Sequence, residues 1–228
     1  MIKGLQRVSI IDFPKRICAV VFTGGCNFRC PYCHNPELVV DWENLPTISE
    51  EEVFSFLEHR RGLLDGICIT GGEPTIHKKL PNFIKKIKKK GFQVKLDTNG
   101  TNPSMIEELI NEGLLDYIAM DVKATPEKYN IATGVSVNIK DIKKSTKAIM
   151  EGKIDYEFRT TVFPDFFSTE DAKKIGEWLK GARRFVLQRP RKLKMLLDVF
   201  KDRPIYAEKE LNNIKNILSN YVEEVIIR

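Results

Sequence analysis

Three cysteines, Cys26, Cys30 and Cys33, stand within eight residues in the stretch GGCNFRCPYCHNPE, residues 24–37. Thiolates at such spacing bind soft metals, so the chemistry in question is zinc or iron–sulfur ligation. A structural zinc ion asks for four ligands. His34 adjoins Cys33, and neighbouring residues rarely both reach one tetrahedral ion. The other two histidines, His59 and His77, lie elsewhere, and there is no second CxxC pair. A [4Fe–4S] cluster suits the trio better. Three thiolates hold three irons, and the fourth iron stays open to a substrate or cosubstrate. An electron carrier would close all four positions, so three ligands favour chemistry over storage. The remaining cysteines, Cys18 and Cys68, sit in apolar runs and read as small core residues.

Other chemistry-bearing residues recur at one kind of place, the C-terminal end of an apolar run. Such runs, of strand length, fall at 17–22, 66–70, 92–97, 117–122, 156–162 and 185–188. Helix-period segments alternate with them at 49–61, 80–90, 103–111, 139–150, 169–179 and 207–219. A last apolar run follows at 222–227. Ser49 with Glu52 forms a capping box, and Pro103 is a natural first helical residue. The cysteine stretch follows the first run, Gly71–Gly72–Glu73–Pro74 the second, Asp97 ends the third and Asp121–Val122–Lys123 the fourth. Arg159 lies in the fifth and Gln188 ends the sixth. Asp97 and Asp121 are placed to hold a cation or a sugar hydroxyl, and Lys123 or Arg159 a carboxylate. The competing reading is a buried set of ion pairs that holds the mouth of the fold together. The turn Thr98–Asn99–Gly100 reads as punctuation only.

Strand–helix alternation implies parallel strands joined by crossovers. Six units are too few for an eight-fold barrel of ~250 residues. The expectation is therefore an α/β fold: an incomplete (β/α)6 TIM-like barrel, a single domain over 1–228, with a flat doubly wound sheet as the alternative. In barrels the C-terminal strand ends form the active-site rim, which is where the polar residues fall.

The 228 residues are 42% hydrophobic and 30% charged, ordinary for a soluble globular protein. No apolar run is long enough to span a bilayer, and no leader-like segment opens the chain, which predicts a cytoplasmic protein without a membrane partner. The net charge is +6, concentrated in Lys85–Gly91 and Arg189–Lys194. A lysine run without interleaved aromatics reads as a solvated helix face rather than a nucleic-acid site. Residues 189–204 read equally as a partner-docking segment or a plain connection.

The sequence CNFRCPYC resembles the CxxxCxxC signature of the radical S-adenosylmethionine superfamily, including the aromatic Tyr32 before the third cysteine; GGEP after the next strand matches as well. CHNPE and DVK resemble the glycyl-radical-enzyme activating enzymes. The opening GLQRVSIIDFPKR…AVVFTGGCNFRCPYCHNPEL is most similar to the activating proteins of anaerobic ribonucleoside-triphosphate reductase. It is less similar to pyruvate formate-lyase activating enzymes, which carry Gly-Pro-Gly where this chain has DFPKR. The resemblance implies a partial barrel in which Cys26, Cys30 and Cys33 ligate a [4Fe–4S] cluster. It implies that S-adenosylmethionine is cleaved reductively to a 5′-deoxyadenosyl radical, which takes a hydrogen atom from a glycine of a partner enzyme. It implies an electron donor such as a flavodoxin or ferredoxin, and no auxiliary cluster. Cosubstrate contacts carried over are Tyr32 against the cluster or adenine, and His34 and Asn35 beside it. Gly71 and Gly72 would admit the methionine end, and Glu73 would accept from its ammonium or pair with a lysine. Asp97, Asp121, Lys123 and Arg159 complete the rim. Two alternatives stand beside the activase: a radical enzyme for a small molecule, and a non-catalytic iron–sulfur or zinc module. The short chain leaves little sequence for a lid, which favours a macromolecular substrate.

Overall fold

In the computed structural model, which describes residues 1–191 and 194–228, eight strands form one sheet in sequential order. They are β1 (Ile2–Ser9), β2 (Cys18–Thr23), β3 (Gly66–Gly71), β4 (Gln93–Thr98), β5 (Tyr117–Asp121), β6 (Asp155–Thr161), β7 (Arg184–Gln188) and β8 (Glu224–Ile227). The helices are α1 (Pro36–Val40), α2 (Glu50–His59), α3 (Leu80–Lys89), α4 (Pro103–Asn111), α5 (Tyr129–Thr133), α6 (Ile139–Glu151), α7 (Thr169–Trp178) and α8 (Glu208–Leu218). From β2 to β8 every neighbouring pair is parallel, and six crossovers join them. A doubly wound sheet reverses strand order at a switch point; this sheet never reverses, so the incomplete barrel is the fold.

Two strands go beyond the sequence reading. The run at 222–227 becomes β8, a seventh parallel strand beside β7. β1 is a new strand, antiparallel to β2, with register shifts between Ile2 and Gly4 and between Gln6 and Ser9. Its sequence IKGLQRVS hides it: the polar and charged residues break the alternation, and only Ile2 and Ser9 are buried. The six predicted helices start within a residue or so of their expected positions, while the short α1 and α5 were not anticipated; several of the six have explicit caps. Ser49 Oγ accepts from Glu52 N at 3.0 Å and Glu52 returns the bond to Ser49 N. Asn102 Oδ1 accepts from Met105 N one residue before Pro103 opens α4.

The strands separate two environments with period two. Ala19, Val21, Ile67, Ile69, Val94, Leu96, Ile118, Met120 and Phe158 pack in the main core. The opposite faces of β2, β3 and β5 carry Cys18, Val20, Cys68, Tyr117 and Ala119, a second small core joined by Phe13. Phe13, in the loop between β1 and β2, lies 6.1 Å from the Tyr117 ring and covers the N-terminal end of the barrel interior. Cys18 and Cys68 are both fully buried, as small core residues should be. On β4, β5 and β6 the inner face turns charged, with Lys95, Asp97, Asp121, Glu157 and Arg159. The lysine run on α3 is largely neutralised at the surface: Lys85, Lys86, Lys88 and Lys90 pair with Glu112, Glu50, Asp116 and Glu58. Among the described residues no helix is long and apolar enough to cross a membrane.

Candidate active site

The cysteine loop leaves β2 at Thr23 and is stitched on every side. Gly24 N donates to Met1 O and Gly25 N to Leu38 O. Arg29 N donates to Thr133 O at 2.8 Å, at the end of α5, and Leu197 N to Pro31 O at 2.9 Å. Asn27 Oδ1 accepts from Asn99 Nδ2, tying the loop to the end of β4. Gly134, in the left-handed region at φ +69°, closes against Arg29: a Cβ there would lie 2.5 Å from Arg29 O.

A cavity of about 670 Å³ opens beneath this loop. It is lined by Cys26, Cys30 and Cys33, by Tyr32, His34 and Asn35, and by Gly71, Gly72 and Glu73. Asp97, Asp121, Lys123, Arg159 and Gln188 complete the predicted set. The structure thus brings every predicted rim residue into one space. The cysteines are free thiols. Burial pushes the Cys26 thiol up to about 12 and the Cys30 thiol up to about 11, and raises Cys33 as well. Thiols so placed ionise only for a strong cationic partner, and iron supplies one. Among the described residues no three His, Cys, Asp or Glu side chains are close enough to share one ion. A cubane asks for a different arrangement, in which each iron takes its own thiolate. Three unpaired cysteines around one roomy cavity fit that cofactor.

The charged residues form a continuous row. Lys95, only 2% exposed, bonds Asp97. Asp97 Oδ2 accepts from Arg159 at 3.0 Å, Arg159 Nε donates to Asp121 Oδ1 at 2.8 Å, and Lys123 donates to Asp121 Oδ2 at 2.8 Å. Burial alone would raise both carboxyls. The Arg159 guanidinium, with Lys95 at Asp97 and Lys123 at Asp121, outweighs it and holds both below the usual carboxylate range. The ion-pair reading of these residues is therefore realised in the structure, with Lys95 as a member that the sequence reading missed. Its signal was present, since Lys95 stands two residues before Asp97 on the same strand face. A second missed group lies below: fully buried Glu157 accepts from both Arg228 nitrogens at 3.0 Å and from the Tyr117 hydroxyl at 3.1 Å.

Glu73 does not pair with a lysine. It is 1% exposed, and its Oε1 accepts from Thr75 N, Thr75 Oγ1 and Thr98 Oγ1. Its Oε2 accepts from Asn99 N at 2.6 Å. The turn read as punctuation is thus the cradle of this carboxylate, a role visible only once β3 and β4 stand side by side. Tyr32 is buried against Phe163 and Phe166, with ring centroids 5.4 and 5.5 Å away. His34 is half-buried; burial, with Arg191 and Lys123 adding to it, lowers its pKa and keeps the imidazole neutral at pH 7. Of the segment 189–204, Arg189, Pro190 and Arg191 line the cavity. Phe200 packs on Phe163 and Phe166, and Lys194 pairs with Glu37. Residues 192 and 193 lie outside the described residues.

The two glycines of GGEP have a reason in the chain itself. Gly71 has φ +122°, and a Cβ on it would lie 2.3 Å from Thr23 N. A Cβ on Gly72 would lie 1.9 Å from Gly25 O, where Gly72 N and Glu73 N already bond Thr23 O and Gly25 O at 2.8 Å. Gly72→Ala is expected to force the cysteine loop away from β3. The cost should be at least about 2 kcal/mol of stability, in the range of overpacking, together with reduced iron loading. Thermal melting and iron content measure both.

Residues 20–180 match the family model described as the radical SAM superfamily. The chain is a member of that superfamily, whose enzymes use a [4Fe–4S] cluster and S-adenosylmethionine. Within it, a protein of Methanocaldococcus jannaschii named as a glycyl-radical enzyme activating enzyme is 35% identical, over 100% of this chain and 95% of its own length. The pyruvate formate-lyase-activating enzyme of Clostridium pasteurianum is 26% identical over 80% of this chain and 77% of that one. The chain is thus a radical SAM enzyme with activating enzymes among its relatives. Among solved structures, Streptococcus suis SuiB bound to S-adenosylmethionine superposes with a TM-score of 0.69 at 15% identity, which bears on the fold alone. It covers 92% of this chain, which spans about half (49%) of the SuiB chain.

Proposed function

We propose that this protein activates a glycyl-radical enzyme, with anaerobic ribonucleotide reductase as the partner and a flavodoxin or ferredoxin as electron donor. The observation that carries the reading is the joining of three free cysteines, the buried Glu73 and the charged row in one cavity. That cavity also reaches the exposed loop between β1 and β2 through Ile11 and Asp12. A [4Fe–4S] cluster held by Cys26, Cys30 and Cys33 would supply the electron for reductive cleavage of S-adenosylmethionine, and so the radical chemistry directed at a glycine of the partner.

The chain's own residues bind and orient. Cys26, Cys30 and Cys33 hold the irons. Glu73 presents a carboxylate whose Oε2 has one described partner, leaving room for an ammonium. Arg159 is committed to Asp97 and Asp121, so Lys123, bonded to Asp121 alone among the described acids, is the cation for the cosubstrate's carboxylate. The aromatic residues Tyr32, Phe163, Phe166 and Phe200 exclude water from one side. The loop at 10–17 offers the partner an apolar foothold: Ile10 is 75% exposed and Ile11 70%.

The test is anaerobic reconstitution with iron and sulfide, followed by dithionite, S-adenosylmethionine and anaerobic ribonucleotide reductase. A glycyl-radical signal by electron paramagnetic resonance is the expected result. Formation of 5′-deoxyadenosine without a radical on the reductase would move the protein to another substrate. Ile10→Asp should lower the radical yield on the partner by about tenfold, the effect of losing an interface residue worth just over 1 kcal/mol. It should leave 5′-deoxyadenosine release in the partner's absence unchanged.

A further inference from the structure

Cys26 is flanked on both sides by links that lead to one residue, Glu73. On the N-terminal side, Gly25 O accepts from Glu73 N at 2.8 Å. On the other side stands Asn27, an exposed residue whose amide is nonetheless used at both ends. Its Oδ1 accepts from Asn99 Nδ2 and its Nδ2 donates to Thr101 Oγ1, both at 2.8 Å. Asn99 is 6% exposed, and its backbone N donates to Glu73 Oε2 at 2.6 Å. Thr101 fixes the Asn99 side chain as well: Oδ1 accepts from Thr101 N at 3.0 Å and from Thr101 Oγ1 at 2.7 Å. A continuous line of bonds thus runs from Asn27, next to a cluster ligand, through Asn99 to the Glu73 carboxylate. The loop does not need that line to keep its course, because backbone bonds at Gly24, Gly25, Arg29 and Pro31 already anchor it. An exposed amide also loses little by turning to water. What Asn27 adds is register between Cys26 and Glu73.

Resting on the assignment of Glu73 to the ammonium of S-adenosylmethionine, we propose that Asn27 is a positioning residue. It holds the Cys26 side of the cysteine loop at a fixed spacing from the Glu73 carboxylate. A ligand gripped at two points binds well only while those points keep the spacing that the ligand offers. If one grip can wander, the second contact is made at a lower effective concentration. Asn27 touches neither the cosubstrate nor the irons in this role; it acts through Asn99.

Asn27→Ala in the reconstituted holoprotein tests this, with Asn27→Asp, which keeps an acceptor for Asn99 Nδ2, as the rescue. In Asn27→Ala the dissociation constant for S-adenosylmethionine, by anaerobic equilibrium dialysis, should rise about threefold to tenfold, the worth of one neutral hydrogen bond. In Asn27→Asp it should stay near the parent value. Iron content, and the paramagnetic resonance spectrum of the reduced cluster without S-adenosylmethionine, should match the parent in both variants. A rise of less than about threefold in Asn27→Ala overturns the proposal. An equal rise in both variants overturns it too, since the link to Asn99 would then not be what matters. So does lost iron or an altered unliganded spectrum in Asn27→Ala, which would make Asn27 a tether of the loop alone. Glu73→Gln, measured alongside, separates two kinds of failure. Parent-like binding by that variant would remove the Glu73 assignment, and this inference with it. Weakened binding there, beside parent-like binding in Asn27→Ala, would overturn this inference alone.

Discussion

Cys30→Ala is expected to yield a folded protein that no longer retains its cluster and no longer cleaves S-adenosylmethionine. Cys30 is buried at 7% exposure between Arg29 and Pro31, whose backbones are bonded to Thr133 and Leu197. Those anchors do not involve the thiol, so the loop keeps its course. Alanine leaves two thiolates where three are needed. The cofactor carries the difficult step, so 5′-deoxyadenosine formation should fall by roughly a thousandfold or more. Iron per chain, the cluster's visible absorbance and product release are the measurements. Parent-level product from the variant would end the cluster assignment. Proton linkage gives the same experiment a second arm. The thiols of Cys26 and Cys30 are raised to about 12 and about 11 by burial, and ligation must deprotonate them. Cluster loading therefore releases protons and should strengthen as pH rises from 6 to 8.

Arg159→Met should produce the largest loss of stability among the site's variants. The guanidinium joins Asp97 and Asp121, whose side chains are 13% and 24% exposed. Methionine keeps much of the volume and leaves two carboxylates facing one another with only Lys95 and Lys123 beside them. Breaking a buried pair in this way costs about 3–5 kcal/mol, or about 6–20 °C in melting temperature for a chain of this size. The pH profile should change too. Both carboxyls have folded-state values below the unfolded value of about 3.9. Their contribution is therefore complete above about pH 4 and is lost as pH falls toward the folded values. The parent should lose stability below pH 4 more steeply than Arg159→Met does. Parallel profiles would show that the guanidinium does not set those carboxyls.

The barrel was legible in the sequence because parallel strands and their helices leave local marks. The runs that became β2 to β7 are short, apolar and followed by helical periods with explicit caps such as Ser49 and Asn102. β1 left no such mark. It is an edge strand exposed over much of its length, so selection for burial wrote no alternation into it.

The cysteines, GGEP, Asp97, Asp121, Lys123 and Arg159 could be gathered in advance for a physical reason. Consecutive parallel strands place their C-terminal ends on one rim, so position along the chain predicts position in space. The sequence by itself therefore determined the cysteine trio, the partial barrel and the rim on which the site sits. What only the tertiary structure decided is how those groups are used. Asp97, Arg159 and Asp121 are engaged with one another and with Lys95, and Thr98 and Asn99 hold Glu73. Hydrogen bonds across neighbouring strands depend on register and on atoms tens of residues apart, and no local pattern in a chain records them.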